Sequence, residues 1–260
     1  MSEISEYEHG RFCWVDLSAH DMKAAGAWYA ELFGWTVEES DTEGGPPYAM
    51  FKKGDHIVAG LGQTSDEMKQ AGVPPMWNNY VSVDDAKAVA DKVTSLGGKI
   101  MVEPMKVLDA GHLAFFTDPE GATFAVWQAA EHPGATLINE PGAFSWNELL
   151  SRDIGKAAGF YGELFGWTFV DIPIGHPYKV GKLGERDQVG LLQIDDSFGP
   201  MPAMWSTYFA VADCDATVAK ILATGGKVMR PATDIEPGRF AVVSDPQGGH
   251  FNVIQLKNPS

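Results

Sequence analysis

Apolar positions recur along this chain with a helical period in some stretches and in short runs between turn residues in others. Ala25, Trp28, Tyr29 and Leu32 stand at spacing 0, 3, 4 and 7, one face of a helix. Ala86, Val89, Ala90 and Val93 repeat that spacing, as do Ala157, Phe160, Tyr161 and Leu164. Strands are predicted near 12–18, 35–40, 47–52, 56–62, 77–83, 99–107, 111–117 and 122–128, and again near 144–150. Gly34 and Gly166 follow the first and third helices at the C′ position, where positive φ is wanted. Asp84 or Asp85 can cap the start of the second helix, and Gly97-Gly98 end it. Asp118-Pro119-Glu120-Gly121 and Asp245-Pro246-Gln247-Gly248 suit type I turns within closing hairpins.

The pattern is written twice. ELFGW occurs as Glu31–Trp35 and as Glu163–Trp167, and WVDL (Trp14–Leu17) answers WNEL (Trp146–Leu149) at the same offset of 132. MWNNYVSVDD (Met76–Asp85) answers MWSTYFAVAD (Met204–Asp213), and GHLAFFTDPEGATFAVWQ (Gly111–Gln128) answers GRFAVVSDPQGGHFNVIQ (Gly238–Gln255). The offset drifts by a few residues, as expected when deletions fall in loops. A tandem duplication follows, with units at residues 1–130 and 143–260 and a linker at 131–142. Each unit holds two β-α-β-β-β modules, four in all. The fold class is α+β: curved mixed sheets with helices on the outer face.

Composition narrows the function. The chain has 260 residues, 45% apolar, with a net charge of −16. An acidic surface argues against a phosphate backbone or an anionic lipid as partner. No apolar run reaches the ~18 residues of a membrane span, and the acidic start MSEISEYEHGRF has no signal-peptide character. A cytoplasmic location is expected. Cys13 and Cys214 lack metal-site spacing and read as reduced thiols packed as small hydrophobes.

Four β-α-β-β-β modules, an FYxxLFGW-like helix end and a DPxG hairpin resemble the vicinal oxygen chelate superfamily, the group of glyoxalase I, bleomycin-resistance proteins and extradiol dioxygenases. The paired WVDL/WNEL starts and MW…Y strands are similar to two-domain actinobacterial glyoxalase-like proteins. That subgroup includes a culture-filtrate antigen, which implies that members reach the outside of the cell without a signal peptide; others are labelled hydroxylases. The resemblance also implies a divalent metal held from the first and last strands of each module. Those positions carry Trp14, Asn78 and Ala125 in the first half and Trp146, Ser206 and Asn252 in the second, with no His or carboxylate near 59–61 or 190–192. Indole and methyl groups offer no ligand, and neutral Asn or Ser seldom suffices alone. No metal and no other cofactor is expected.

Strand alternation places Trp14, Asp16, Asn78, Tyr80, Ser82, Thr123, Ala125 and Trp127 on one face of the first half. Trp146, Glu148, Ser206, Tyr208, Ala210, His250, Asn252 and Ile254 share the matching face of the second. Trp77 and Trp205 point to the opposite face and read as packing. Candidate ligand-binding residues are Trp14, Asp16, Asn78, Tyr80, Trp127, Trp146, Glu148, Ser206, Tyr208 and Asn252. Asp16, Glu148 and His250 are the candidate acids and bases. Two readings of the aromatic residues stand: they line a cleft for a ligand, or they fill a core left by a lost metal site. Two functions stand as well. One is a metal-free binder of a small hydrophobic or aromatic metabolite, akin to the bleomycin-resistance branch. The other is an enzyme, a glyoxalase-type lyase or isomerase or a polyketide hydroxylase. A monomer or homodimer is expected, with a small-molecule ligand and neither nucleic acid nor membrane as partner.

Overall fold

A computed structural model describes residues 3–257. The first half runs β1 (Phe12–Ala19), α1 (Met22–Phe33), β2 (Thr36–Glu39), β3 (Tyr48–Lys53), β4 (His56–Gln63), α2 (Asp66–Gln70), β5 (Met76–Ser82), α3 (Ala86–Ser95), β6 (Lys99–Val107), β7 (Gly111–Thr117) and β8 (Thr123–Ala129). The second runs β9 (Phe144–Ser151), α4 (Ile154–Phe165), β10 (Thr168–Asp171), β11 (Tyr178–Leu183), β12 (Arg186–Gln193), a 3-10 turn (Asp196–Phe198), β13 (Met204–Ala210), α5 (Cys214–Ala223), β14 (Lys227–Ile235), β15 (Gly238–Ser244) and β16 (His250–Leu256). The class is α+β, as the periodicity predicts. Helix α2 and the 3-10 turn have no counterpart in the sequence reading, since neither is long enough to display a helical period.

Each half forms its own eight-stranded sheet, ordered β2-β3-β4-β1-β5-β8-β7-β6 and β10-β11-β12-β9-β13-β16-β15-β14. The seam within a half is the antiparallel pair β1–β5 or β13–β9. Beside it each module closes on itself with a parallel pair, β1–β4 and β5–β8 or β12–β9 and β13–β16. Modules therefore pair within a half. Among the described residues no helix is long and apolar enough to cross a membrane.

Side-chain caps set the helix starts. Asp21 accepts from the Ala24 amide, Asp153 from Lys156 and Asp213 from Ala216. Of the two candidates for α3, Asp85 is the cap, accepting from Lys87 and Ala88. Gly34 and Gly166 end α1 and α4 with φ of 73° and 76°.

One face of each sheet carries the helices, and that face packs against the other half. Here the repeated motifs meet. Tyr29 of α1 donates to Asp245 Oδ2 in the turn of the second half (3.0 Å) and accepts from the Trp77 indole (3.1 Å). Tyr161 of α4 donates to Asp118 Oδ2 (3.0 Å) and accepts from Trp205 (2.9 Å). The second oxygen of each aspartate caps its own turn, accepting from the amides of Glu120 and Ala122 or of Gln247 and Gly249. Trp35 and Trp167, the last residues of the two ELFGW strings, donate to the carbonyls of Gly142 and Gly10 across the junction, each at 2.7 Å. At the centre Asn79 Oδ1 accepts from both Asn147 and Thr207. Trp77 and Trp205 are thus packing residues with a hydrogen bond to place.

A Cβ built on Gly34 or Gly166 meets nothing within 4 Å, so only backbone conformation opposes a side chain there. Gly34→Val and Gly166→Val are each expected to lower stability by at least ~1 kcal/mol, read from thermal or denaturant melts. Unchanged melts would contradict the left-handed assignment.

Candidate functional site

The face of each sheet without helices carries the candidate residues, and β1 and β9 bring them to the middle of it. In the first half Asp16 is the hub. Its Oδ1 accepts from Asn78 at 2.7 Å, and its Oδ2 from Tyr80 at 2.8 Å and Tyr48 at 3.1 Å. Tyr48 also accepts from the Trp14 indole at 3.1 Å, and Asn78 reaches Ser18. Burial pushes the Asp16 carboxyl up while the three donors pull it down, and burial prevails. Both oxygens are engaged, which answers the demand that a carboxylate among indoles be paired.

In the second half Glu148 stands where Asp16 does, and its Oε2 accepts from Tyr208 at 2.9 Å. Trp146 approaches the Tyr178 hydroxyl at 3.4 Å. Burial raises the Glu148 carboxyl, opposed by hydrogen bonds from Tyr208 and Tyr178 and by the positive charge of Arg230. Arg230 lies over the Phe240 ring, its Cζ 5.0 Å from the centroid. Asn252 donates to Ser206 Oγ at 2.6 Å. Tyr208, Phe240 and Ile254 form an apolar group separate from the main core, with Trp146, Ile235, Val242 and Leu256 packed around it.

The two faces differ in what covers them. In the first half the chain after β8 returns over the face. The His132 ring packs edge-on to Trp14 at 4.6 Å and to Trp127 at 5.8 Å, and the Trp127 indole donates to the His132 carbonyl at 2.7 Å. Ala135 then hydrogen-bonds to Cys13 and Thr136 to Ile57. Trp14 is 3% exposed and belongs, with Tyr80 and Trp127, to the main core. Burial holds His132 neutral, its pKa lowered to about 4. Trp146, by contrast, is only half-buried.

The structure brings together Trp14, Asp16, Asn78 and Tyr80, and likewise Trp146, Glu148 and Tyr208. It does not join His250 to Glu148. Glu148 faces Ser206, and the parallel pairing of Tyr208 with Asn252 puts His250 one strand further on, about 9–10 Å from Glu148 across the sheet. His250 is exposed. Cys13 and Cys214 are free, buried thiols; burial pushes both up, Cys214 to about 11.

Tyr48, Tyr178, Phe240 and Arg230 are absent from the sequence reading. The tyrosines had a signal: each follows a proline at an offset of 130, and Gly60 and Gly190 recur with them. A Cβ on Gly60 would lie 2.0 Å from the Tyr48 hydroxyl, and one on Gly190 would lie 1.9 Å from that of Tyr178. The glycines are the space in which those hydroxyls sit. An open concavity of about 560 Å³ under the β10–β11 loop includes Tyr178 in its wall.

Residues 11–126 match the Glyoxalase/Bleomycin resistance protein/Dioxygenase superfamily, and residues 148–254 match the family described as Glyoxalase-like domain. The chain is 42% identical over 262 residues to "Putative glyoxylase CFP32" of Mycobacterium tuberculosis (strain CDC 1551 / Oshkosh), covering 98% of both chains. It belongs to the glyoxalase/bleomycin-resistance/dioxygenase superfamily. Anthracycline biosynthesis protein DauV of Streptomyces sp. (strain C5) is 32% identical over 271 residues, covering 98% of this chain and 96% of its own. Among solved structures, the Mn(II)-bound glyoxalase from Novosphingobium aromaticivorans aligns with a TM-score of 0.63 at 16% identity, over 97% of this chain and 86% of that one.

The metal that the superfamily implies does not fit the residues on these faces. Among the described residues no three His, Cys, Asp or Glu side chains converge. The first face offers one carboxylate, whose oxygens already hold hydroxyl and amide donors. The second offers one carboxylate beside an arginine. Adding Zn, Ni or Mn salts is therefore expected to leave the melting temperature unchanged, whereas a bound ion would raise it by mass action.

Glu148 should leave a pH signature. Its folded pKa is raised, so its contribution to stability is present below the unfolded pKa near 4.5 and is lost as pH rises through the folded value. The melting temperature of Glu148→Gln relative to the unaltered protein should therefore rise with pH over that window and then level off. A difference independent of pH would contradict the assignment.

Proposed function

We propose that the protein binds a small aromatic metabolite on the helix-free face of its second half, stacked at Trp146 and oriented by Glu148. One observation carries this reading: the apolar group of Tyr208, Phe240 and Ile254 stands apart from the main core, beside a half-buried Trp146. Its first-half counterparts are covered by the linker and merged with the core. A broad apolar floor with few polar groups suits a planar ligand. Glu148 and Tyr208 supply an acceptor and a hydroxyl for a ring substituent. The kinship over the whole chain with a protein named for anthracycline biosynthesis supports a polycyclic, hydroxylated aromatic ligand.

A second reading, catalysis, is favoured by Glu148 itself. A carboxyl raised by burial, next to two tyrosines, suits proton transfer. Within the lyase or isomerase class, the step that needs no co-reactant is isomerisation. A C–H bond beside a ligand carbonyl breaks, Glu148 takes the proton, the electron pair moves onto the carbonyl oxygen, and the proton returns at another carbon. Asp16, with both oxygens occupied, is less suited to that role.

A hydroxyanthraquinone such as alizarin is expected to quench tryptophan fluorescence saturably. Trp146→Ala should weaken binding by about tenfold, ~1.4 kcal/mol, in line with lost stacking and area. Trp14→Ala should leave the affinity unchanged. Equal loss in both variants, or loss in neither, would sink the assignment to the second half. Incorporation of deuterium from D2O into a bound aromatic ketone that carries an enolisable C–H beside its carbonyl, such as a tetralone, abolished by Glu148→Gln, would select the catalytic reading over simple binding.

A further inference from the structure

A second, smaller cavity lies at the start of β9 and β12, away from the role given to Glu148. Its volume is about 120 Å³, and Arg11, Asn139, Ser145, Trp146, Arg186 and Gln188 are among its lining residues. Its origin is a gap between strands. The pairing of β9 with β12 is registered only from Glu148 and Gly190 onward. In the first half the matching place beside β1 and β4 is filled by the linker: the Ala135 amide donates to Cys13 O, the Thr136 amide to Ile57 O, and the Ile57 amide to Thr136 Oγ1. The residues around the second gap have changed in a consistent direction. By the repeat, Ser145 stands for Cys13, Gln188 for Val58 and Arg186 for His56.

Two of these side chains each hold a buried polar atom without a partner. Gln188 is 7% exposed, and its Nε2 has no hydrogen-bond acceptor; Ser145 Oγ is likewise buried and unpartnered. An unsatisfied buried donor is costly, so such groups mark a place that takes water or another polar partner. The charges point to its sign. The Arg11 guanidinium lies 5.2 Å over the Tyr7 ring. Burial and, after it, repulsion from Arg186 hold Arg11 below the usual arginine range. Two acids stand with them: Asp187, itself in the cavity wall, holds Lys182 at 2.5 Å, and Glu8 holds Arg186 at 2.6 Å, so it is chiefly the Arg11 guanidinium that favours an anion. The volume equals about four waters, enough for a carboxylate or phosphate group.

We infer that this cavity binds a small oxyanion, a carboxylate or a phosphate group, received by the Gln188 amide, the Ser145 hydroxyl and the Arg11 and Arg186 guanidiniums. Amide and guanidinium N–H groups all donate, and an oxyanion accepts from several at once.

Isothermal titration of the full chain with inorganic phosphate and with sodium acetate, at constant ionic strength in sodium chloride, tests this. Saturable binding of one of them at one site per chain is expected; the stronger of the two identifies phosphoryl or carboxylate as the preferred group. Gln188→Glu, which keeps the shape and adds a negative charge, should weaken binding at least tenfold. Ser145→Val should weaken it several-fold. Absence of saturable binding of either anion overturns the inference. So does affinity unchanged in both folded variants, which would mean adventitious surface binding only. Should Gln188→Glu not fold, Ser145→Val decides, together with diffraction from crystals grown in phosphate: no density between Gln188 and Arg11 would reject the site.

Discussion

Two tyrosine–aspartate hydrogen bonds, Tyr29 with Asp245 and Tyr161 with Asp118, tie the halves into one body. Each joins a helix of one half to a turn of the other, and each aspartate also caps its own turn. The tyrosines are fully buried, so a hydroxyl that lost its partner would be a buried unsatisfied group. The indoles of Trp77 and Trp205 complete the same two hydroxyls. This explains why the helix end, the MW strand and the DPxG turn recur together: they are three parts of one contact, made twice across a pseudo-twofold junction. With the helical faces locked against each other, the two helix-free faces are left to look away from the junction.

Those free faces have diverged although their strands have not. The same Trp-x-acid start gives Asp16 a closed ring of donors and gives Glu148 a looser one. The linker accounts for much of the difference. After β8 it lays His132 on Trp14 and threads Ala135 and Thr136 beside β1 and β4. The covered face becomes core, while the other keeps a half-buried tryptophan, an apolar group of its own and an arginine above it. Duplication supplied two equivalent surfaces, and one connecting segment made them unequal.

Much of the candidate site was legible. Alternation along β1, β5, β9 and β13 assigns Trp14, Asp16, Asn78, Tyr80, Trp146, Glu148, Ser206 and Tyr208 to the right faces, because a strand's period of two leaves no freedom in that choice. Partners on other strands were not legible. Tyr48 and Tyr178 meet their acids only because β3–β4 and β11–β12 fold over, and glycines leave them room. His250 shows the opposite error: it shares a face with Glu148, but strand order puts Ser206 between them.

The sequence by itself determined the tandem repeat, the four-module α+β architecture and the glycine stops of α1 and α4, and it narrowed the cap of α3 to Asp84 or Asp85. These depend on period, on local backbone chemistry and on residue identity, all of which are written within a few consecutive positions. Only the tertiary structure decided that modules pair within halves, that the helical faces meet, that the linker covers one free face, and that Gln188 and Ser145 are left without partners beside two arginines. Those outcomes depend on contacts between residues 40 to more than 200 positions apart. Such contacts are set by the sum of burial and hydrogen-bond satisfaction over the whole body rather than by any local pattern.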